Sequence, residues 1–395
     1  MNRATAGIER VTRPIAASAG LPGGPPDRLA STPLAILILA RDEADLLEAT
    51  LASIKESLSP GDRLHVVADH CRDETAAVAR RSGAILHVRQ ARHGEAGKGA
   101  ALRWWLAQTA AGKDGSLPVV VLDADSLPGP GFLDAIRLRM ARGEQAVQAF
   151  LEPRLQAGSP FGLLAAYSEI VEQRVFDAAR ARLGWPVRLR GTGMAFARTM
   201  LEKAGRRLHT TVEDVELTLL LGAWGIPISL ARETYVVDPK PADEAGAIRQ
   251  RARWLRGQFE ALQACKRELV LLAFRGPSGW SLLSSVLLKP KALFLPLQTL
   301  LGAVSAGLWV STGAPGWLGL SLWLLISLVF DAAGLVWGLR LLTDKEERVR
   351  VFAASPSYLW MWLRSLGLSL VTRERWLRSR PTSASVRPSE LTGET

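Results

Sequence analysis

Short apolar runs alternate with helix-like stretches over the first third of the chain. The run at residues 34–40 is continuous and is bounded by turn-forming residues. Similar runs lie at residues 64–68, 84–88 and 119–122. Such runs are typical of buried strands in a parallel sheet. The predicted helices between them cover residues 44–57, 75–82 and 100–110. This alternation predicts an α/β fold with right-handed crossovers.

A different pattern begins after residue 258. Residues 259–274 and 280–288 place apolar side chains at helical spacing with polar side chains between them, which predicts amphipathic helices on a membrane surface. Residues 292–312 and 318–342 are long and apolar enough to cross a bilayer, which takes about 20 residues. A short turn joins these two segments, so we expect a hairpin of transmembrane helices.

Positive charges flank the predicted hairpin on both sides. Lys289 and Lys291 precede its first segment and Arg340 follows near the end of its second, whereas the connecting turn has no charge. Since positive flanks stay on the cytoplasmic side, we expect a multi-pass protein of the inner (plasma) membrane with its preceding α/β domain in the cytoplasm. Asp331 lies inside the second segment and should face protein. We expect it at the depth of Ser305, bonded to that side chain.

These patterns divide the chain into five predicted parts. Residues 1–32 would be a flexible N-terminal arm, because they are rich in Gly, Ala, Pro and Arg. The other parts are the α/β domain at 33–258, interface helices at 259–291, two transmembrane helices at 292–342, and an interfacial helix with a basic tail at 343–395.

Composition narrows the class of protein. The 395 residues are 48% hydrophobic with a mean hydropathy of +0.11 and a net charge of +11. The basic residues cluster around the apolar segments and do not form a separate basic face, so we expect anionic lipid and no nucleic acid as a partner. The two cysteines, Cys71 and Cys265, lack metal spacing and are too few for a disulfide framework.

Carboxylates collect at the ends of three predicted strands. Asp42, Asp69, Asp123 and Asp125 lie at or just past these ends. Open α/β sheets bind ligands at the carboxyl ends of their strands. Oxygen ligands such as Asp123 and Asp125 suit Mg²⁺ or Mn²⁺ on a diphosphate, although an acid after a strand is also a common turn former or helix cap.

A glycine-rich loop follows the third predicted strand. Residues 94–99 read Gly-Glu-Ala-Gly-Lys-Gly and contain Lys98. The loop matches neither the Walker pattern nor the Gly-x-Gly-x-x-Gly fingerprint, which weakens the ATPase and dinucleotide interpretations. With the acidic strand ends, it favours a metal-bound nucleotide diphosphate.

The ordered motifs of residues 33–258 resemble family 2 glycosyltransferases of the GT-A fold, within the branch of cellulose, chitin and hyaluronan synthases. The resemblance rests on residues 40–43 (ARDE), 68–75, 97–99 (GKG), 123–125 (DAD), 190–196, 212–217 (VEDVEL, the ED motif) and 250–254 (QRARW, the QxxRW motif). Asp42 stands where the family often has Asn.

The resemblance implies roles for individual residues. Asp214 would be the catalytic base, and Asp123 and Asp125 would hold Mg²⁺ or Mn²⁺. The implied donor-binding residues are Ala40, Asp42, Asp69, Lys98 and Asp123. The implied residues for acceptor and diphosphate are Gly191, Thr192, Gly193, Gln250, Arg253 and Trp254. Glu213 and Glu216 are expected to be solvated acids of a first helical turn.

The sequence therefore predicts a membrane-anchored, inverting transferase that moves a hexose or N-acetylhexosamine from a UDP-sugar to a hydroxyl. The acceptor would be lipid-linked or a saccharide, in polysaccharide or glycolipid assembly. The alternatives are a processive synthase working with export partners and a non-catalytic membrane scaffold. Because two helices enclose no lumen for a polar polymer, we expect one copy to add one or a few sugars.

Overall fold

The computed structural model describes residues 32–154, 160–239, 244–342 and 345–371. The predicted N-terminal arm and the basic tail lie almost wholly outside these residues. All four strands predicted from apolar runs are present, and the α/β class is confirmed. The strands are β1 Ala35–Ala40, β2 Arg63–Asp69, β3 Ile85–Arg89, β4 Val119–Asp123, β5 Leu127–Pro128, β6 Ala146–Arg154, β7 Met194–Phe196 and β8 Ile228–Pro239.

These strands form one mixed sheet in the order β3-β2-β1-β4-β7-β6-β8-β5. The half formed by β3, β2, β1 and β4 is parallel, as the apolar runs predict. Strand β7 then pairs antiparallel with both β4 and β6. The carboxyl ends of β1, β2 and β4 consequently meet at one edge of the sheet, where their acids are brought together.

Helices cover both faces of the sheet. In chain order they are α1 Ala44–Lys55, α2 Thr75–Arg81, α3 Lys98–Thr109, α4 Phe132–Ala141, α5 Pro160–Val171, α6 Ala178–Arg182, α7 Arg198–Gly205, α8 Glu213–Trp224, α9 Glu244–Ala264, α10 Lys266–Ala273, α11 Gly276–Leu287, α12 Lys291–Thr312, α13 Pro315–Gly338 and α14 Lys345–Val371. A π-helical segment, Glu172–Asp177, joins α5 to α6.

The two faces of β1 build two separate cores. Successive strand side chains point to opposite faces, so Ile36 and Ile38 pack on one side with Leu47 of α1. On the other side, Leu37 packs with Trp105 of α3, which is fully buried. Burial on both faces explains why the strand is apolar throughout instead of alternating.

Helices α12 and α13 are each long and apolar enough to cross a membrane. They run antiparallel, with Gln298 Nε2 donating to Ser327 Oγ over 3.2 Å. Most of their apolar side chains are exposed, including Val310 at 78% and Ile326 at 68%. Such faces suit lipid, although their placement in a membrane stays a prediction.

The expected bond between Asp331 and Ser305 was wrong. Asp331 Oδ1 accepts from Lys291 Nζ at 2.5 Å, whereas Ser305 Oγ donates to the backbone oxygen of Gly302. The pairing of Gln298 with Ser327 sets the register of the hairpin and places Asp331 level with the first turn of α12, because each residue advances a helix by about 1.5 Å.

Helix α14 packs against the α/β domain. Met361 and Trp362 are buried against α9, while Trp360 on the other face is 62% exposed. Arg251 of α9 lies over the rings of Tyr358 and Trp362, at 5.5 and 5.3 Å from their centroids. The segment predicted as an interfacial helix therefore forms a wall of the domain, and its placement at a membrane surface stays a prediction.

Candidate active site

One cavity of about 370 Å³ lies at the carboxyl ends of β1, β2 and β4. It is closed by α8, α9 and the residues 289–291 that lead into α12. The structure brings most of the predicted site residues into its lining: Ala40, Asp69, Lys98, Asp123, Asp125, Gly191, Thr192, Asp214, Gln250, Arg253 and Trp254. Asp42 and Gly193 are described by the structure but lie outside this lining.

Asp125 occupies the most acidic part of the cavity. Burial and the neighbouring carboxylates of Asp123 and Asp238 raise its pKa. Carboxylates held together against their repulsion are suitable ligands for a divalent cation that also binds a diphosphate. Within the described residues, no group of three or more His, Cys, Asp or Glu side chains could hold a metal by itself. The residues fit a cation whose other ligands are phosphate oxygens and water.

Lys98, at the first position of α3, reaches across the cavity. Its Nζ lies 2.5 Å from Asp123 Oδ1 and 3.1 Å from Glu213 Oε1, and it donates to the backbone oxygen of Gly191 at 2.6 Å. Burial lowers the pKa of Lys98, but the two carboxylates outweigh it and hold the pKa above its ordinary value. Lys98 therefore stays charged in the cavity.

Asp69 connects the end of β2 to the glycine-rich loop. Its Oδ1 accepts from Arg89 Nη1 at 2.5 Å, and its Oδ2 accepts from the backbone N–H of Gly97 at 2.9 Å. The carboxylate is nearly fully buried. These contacts fix the loop that presents Lys98, and they add a positioning function to the donor contact predicted for Asp69.

Asp42 adopts a left-handed backbone conformation, with φ of 55°, and so does His70, with φ of 56°. This region is uncommon for residues other than glycine, although Asp and His enter it more readily than most. The Asp42 carboxylate accepts from the backbone N–H of Arg72 at 2.6 Å. Its side chain thus holds two strand-end loops together outside the cavity lining.

Thr192 ties the loop before β7 to the paired acids. Its hydroxyl accepts from the backbone N–H of Asp123 at 3.1 Å and donates to Ser126 Oγ at 2.8 Å. Gly191 and Gly193 on either side have φ of 86° and 63°. Glycine adopts these angles without strain. The loop therefore brings backbone close to Asp123 and Lys98.

Helix α8 presents the acids of the ED motif, and two of them were predicted wrongly. Glu213 and Glu216 are buried, not solvated. Glu213 is paired with Lys98, and the Glu216 carboxylate accepts the backbone N–H groups of His209 and Thr210 at 3.0 Å. A buried carboxylate is stable only with a cation or hydrogen-bond donors beside it. The contacts of Glu213 and Glu216 therefore fix the first turn of α8 against α3 and the residues before α8.

Asp214 differs from these two neighbours. It is half-buried in the cavity lining. Within the described part of the chain, its carboxylate makes no hydrogen bond or ion pair. An acid that is oriented by its helix but not engaged by protein donors can accept a proton from a bound hydroxyl.

Helix α9 carries the residues of the QxxRW pattern. Gln250, Arg253 and Trp254 all line the cavity, and Trp254 is 42% exposed. Burial lowers the pKa of Arg253, and the acids of the cavity, Asp123 first, act against this effect. The pattern therefore places a guanidinium near the paired acids and a flat indole ring at the opening.

A family model described as glycosyltransferase like family 2 matches residues 32–257. The chain belongs to this family. The match spans more than half of the chain and includes every strand and all the predicted site residues. No curated protein is similar enough in sequence to count as a match.

Two solved structures of other proteins are similar to this chain. The mannosyltransferase PcManGT from Pyrobaculum calidifontis, in complex with GDP-Man and Mn²⁺, is 19% identical, with a TM-score of 0.46 over 87% of this chain and 89% of that chain. Glucosyl-3-phosphoglycerate synthase from Mycobacterium tuberculosis, in complex with Mn²⁺, UDP and glucosyl-3-phosphoglycerate, is 23% identical, with a TM-score of 0.42 over 62% of this chain and 86% of that chain.

The cavity of this glycosyltransferase also contains residues that were not predicted to be site residues. Glu43 lines it beside the paired acids, and burial with the carboxylates of Asp125 and Asp123 raises its pKa to about 8. Its position just past β1 was an available signal. Arg188 and Lys289 line the cavity as well. Lys289 was noted only as a positive flank of the hairpin and Arg188 not at all, because tertiary packing brings both side chains into the cavity.

Proposed function

We propose that this family 2 glycosyltransferase is anchored in a membrane and transfers a hexose or N-acetylhexosamine from a UDP-sugar to a hydroxyl acceptor, with inversion. The acceptor would belong to polysaccharide or glycolipid assembly. The observation that carries the proposal is one cavity lined by Asp123, Asp125, Asp214 and Arg253 that reaches Lys291 at the start of the apolar hairpin.

The donor side is the acidic part of the cavity. Asp123 and Asp125 would hold Mg²⁺ or Mn²⁺, which would neutralise charge on the leaving diphosphate. Lys98 and Arg253 supply further positive charge there, and an Arg can donate two parallel hydrogen bonds to phosphate. Stabilising the leaving group in this way lowers the barrier to breaking the bond between sugar and phosphate.

The acceptor side is next to Asp214. Transfer with inversion requires one general base, which takes the proton of the acceptor hydroxyl. The hydroxyl oxygen bonds to the anomeric carbon as the bond from that carbon to the diphosphate breaks. The unengaged carboxylate of Asp214 suits this role. Trp254 offers a flat apolar face for a sugar ring at the opening of the cavity.

Anchoring is supported by the exposed apolar faces of α12 and α13. The amphipathic helices α10 and α11 lie beside the domain, and they add exposed Phe274, at 86%, directly after α10, and Trp280, at 57%, in α11. Two antiparallel helices enclose no lumen, so a single copy offers no path for a polar polymer through hydrocarbon. We therefore favour the addition of one or a few sugars over processive synthesis.

Purified protein in detergent, incubated with a panel of UDP-sugars and GDP-sugars, tests the proposal. We expect nucleotide diphosphate release from a UDP-sugar with Mn²⁺ or Mg²⁺, and its loss with EDTA. Release from GDP-sugars alone would contradict the donor assignment. No release from any donor would favour a non-catalytic scaffold.

A further inference from the structure

Part of the cavity wall is built where the catalytic domain meets the hairpin. Arg188 and Arg190 precede β7, Glu172 begins the π-helical segment, and Lys289 and Lys291 come from the start of the hairpin. All five line the cavity. We call these residues the basic wall. They have no part in the donor and base roles described above.

Lys289 and Lys291 share Glu172, which is the one carboxylate among the five residues of the basic wall. Lys289 Nζ lies 2.7 Å from Glu172 Oε2, and Lys291 Nζ lies 3.6 Å from Glu172 Oε1. Two ammonium groups thus share one carboxylate. Asp331 lies outside the lining and pairs with Lys291. The only carboxylate that pairs with Lys289 among the described residues is therefore Glu172, which it shares with Lys291.

The two arginines of the basic wall differ in their partners. Arg190 pairs with Glu169 at 2.6 Å and with Asp177. Arg188 has no carboxylate within 4.0 Å among the residues that the structure describes. Its Nη1 donates only to the backbone oxygen of Ser285, at 3.3 Å, and its buried Nε has no hydrogen-bond partner.

The neighbouring cations repel one another. Burial lowers the pKa of Lys289 to about 8 and, although Glu172 opposes this, Arg190 and Arg188 add to the lowering. A buried cation without a counter-charge is costly, and a bound anion removes that cost. The basic wall therefore selects for a negatively charged ligand.

We propose that Arg188 and Lys289 bind a phosphate group of a membrane-held acceptor lipid. The inference rests on the proposed function and names the acceptor class of the same cavity. Lys291 opens α12, whose following turns expose apolar side chains such as Leu297 and Leu300. A ligand at the basic wall thus has cations at one end and an apolar helix beside the other, which matches a lipid phosphate better than a free anion.

A tetrahedral phosphate matches this donor set. The Arg188 guanidinium offers an unused N–H beside its other donors, and the Lys289 ammonium is a second point charge. Phosphate accepts charge-assisted hydrogen bonds from both groups at once. A neutral lipid alcohol would leave Arg188 without a counter-charge among the residues that the structure describes.

Farnesyl phosphate and farnesol, compared in the same detergent, are the probes for this inference. Binding can be followed by tryptophan fluorescence, because Trp254 and Trp362 line the cavity. We expect the wild-type protein to bind farnesyl phosphate at least about tenfold more tightly than farnesol. Arg188→Gln should remove that difference, and Lys289→Gln should reduce it in the same direction.

Arg182→Gln is the matched control, because Arg182 is exposed on α6 and outside the cavity. It should bind farnesyl phosphate as the wild type does, and melting temperatures of all variants verify folding. The inference is overturned if the wild type binds the two probes equally. It is also overturned if Arg182→Gln and Arg188→Gln lose the same amount of affinity for farnesyl phosphate. Displacement of farnesyl phosphate by equimolar inorganic phosphate overturns the lipid assignment.

Mn²⁺-dependent UDP binding, measured in the same samples, separates the two proposals. If UDP binds and farnesyl phosphate does not, the acceptor inference fails and the proposed function stands. If UDP does not bind while farnesyl phosphate does, the proposed donor chemistry fails and the anion site is retained.

Discussion

At the residue scale, Asp125 couples metal binding to pH. Burial and the carboxylate of Asp123 raise its pKa to about 7, whereas the cation binds the ionised form. A proton must therefore leave before Mn²⁺ binds, and the bound proton competes more strongly as the pH falls. Affinity for Mn²⁺ should weaken below about pH 7, by up to about tenfold per pH unit for each proton released.

Isothermal titration of Mn²⁺ between pH 8 and pH 6, in the presence of UDP, measures this dependence. Asp125→Asn should bind Mn²⁺ weakly at every pH and flatten the curve. Asp45→Asn, on the exposed first turn of α1, should behave as the wild type. A wild-type affinity that is constant over this range would refute the coupling.

Thr192 provides a second test at this scale, because its hydroxyl satisfies the backbone N–H of Asp123. Thr192→Val keeps the shape but leaves that half-buried donor unpaired, which should cost about 1–3 kcal/mol in the free energy of unfolding and weaken Mn²⁺-dependent UDP binding. Chemical denaturation in detergent measures the first effect. Thr299→Val, on the exposed face of α12, should change neither quantity.

The residue scale also shows where sequence reasoning succeeds. Asp69, Asp123 and Asp125 could be placed in one cavity because the ends of neighbouring parallel strands converge. The burial of Glu213 could not be predicted, since its partner Lys98 belongs to a helix distant in sequence. A local pattern contains no information on such a pair.

At the element scale, glycines let α13 approach the catalytic domain. A Cβ on Gly334 would overlap the ring of Phe176 in the π-helical segment, whereas a Cβ on Gly319 would meet nothing within 4 Å. Gly334→Val should therefore separate the hairpin from the domain, at a cost of about 1–3 kcal/mol. We expect a lower melting temperature and slower transfer, with UDP affinity unchanged.

Gly319→Val is the matched control in the same helix and should melt as the wild type does. Equal melting temperatures for Gly334→Val and the wild type would mean that this contact does not hold the hairpin. An equal decrease in melting temperature in both variants would point instead to a general effect of valine in α13.

Elements were predictable where the pattern was local. Apolar runs identified β1 to β4, but β6, β7 and β8 were not predicted, because their mixed pairing depends on distant segments. The lengths of α12 and α13 followed from hydropathy. Their register did not, and this is why Asp331 was matched with Ser305 and not with Lys291.

At the scale of the whole molecule, apolar exposure is concentrated in the C-terminal helices. Phe330 and Val336 of α13 and Val310 of α12 are each more than 60% exposed, which is unfavourable in water. We expect the full chain to sediment with membranes, to resist extraction by alkaline carbonate, and to dissolve in detergent. Release by carbonate alone would show that the protein lies on the surface and does not span the bilayer.

The central claim is that one cavity holds a nucleotide-sugar and positions Asp214 as the base that completes transfer. The most direct test is the rate of UDP release under saturating donor and acceptor, compared between the wild type and Asp214→Asn. The account predicts a loss of about 10²- to 10⁴-fold with Mn²⁺-dependent UDP affinity unchanged, because a base acts in the transition state and not in donor binding. A variant that releases UDP at the wild-type rate, or that loses rate only in proportion to UDP affinity, would contradict it.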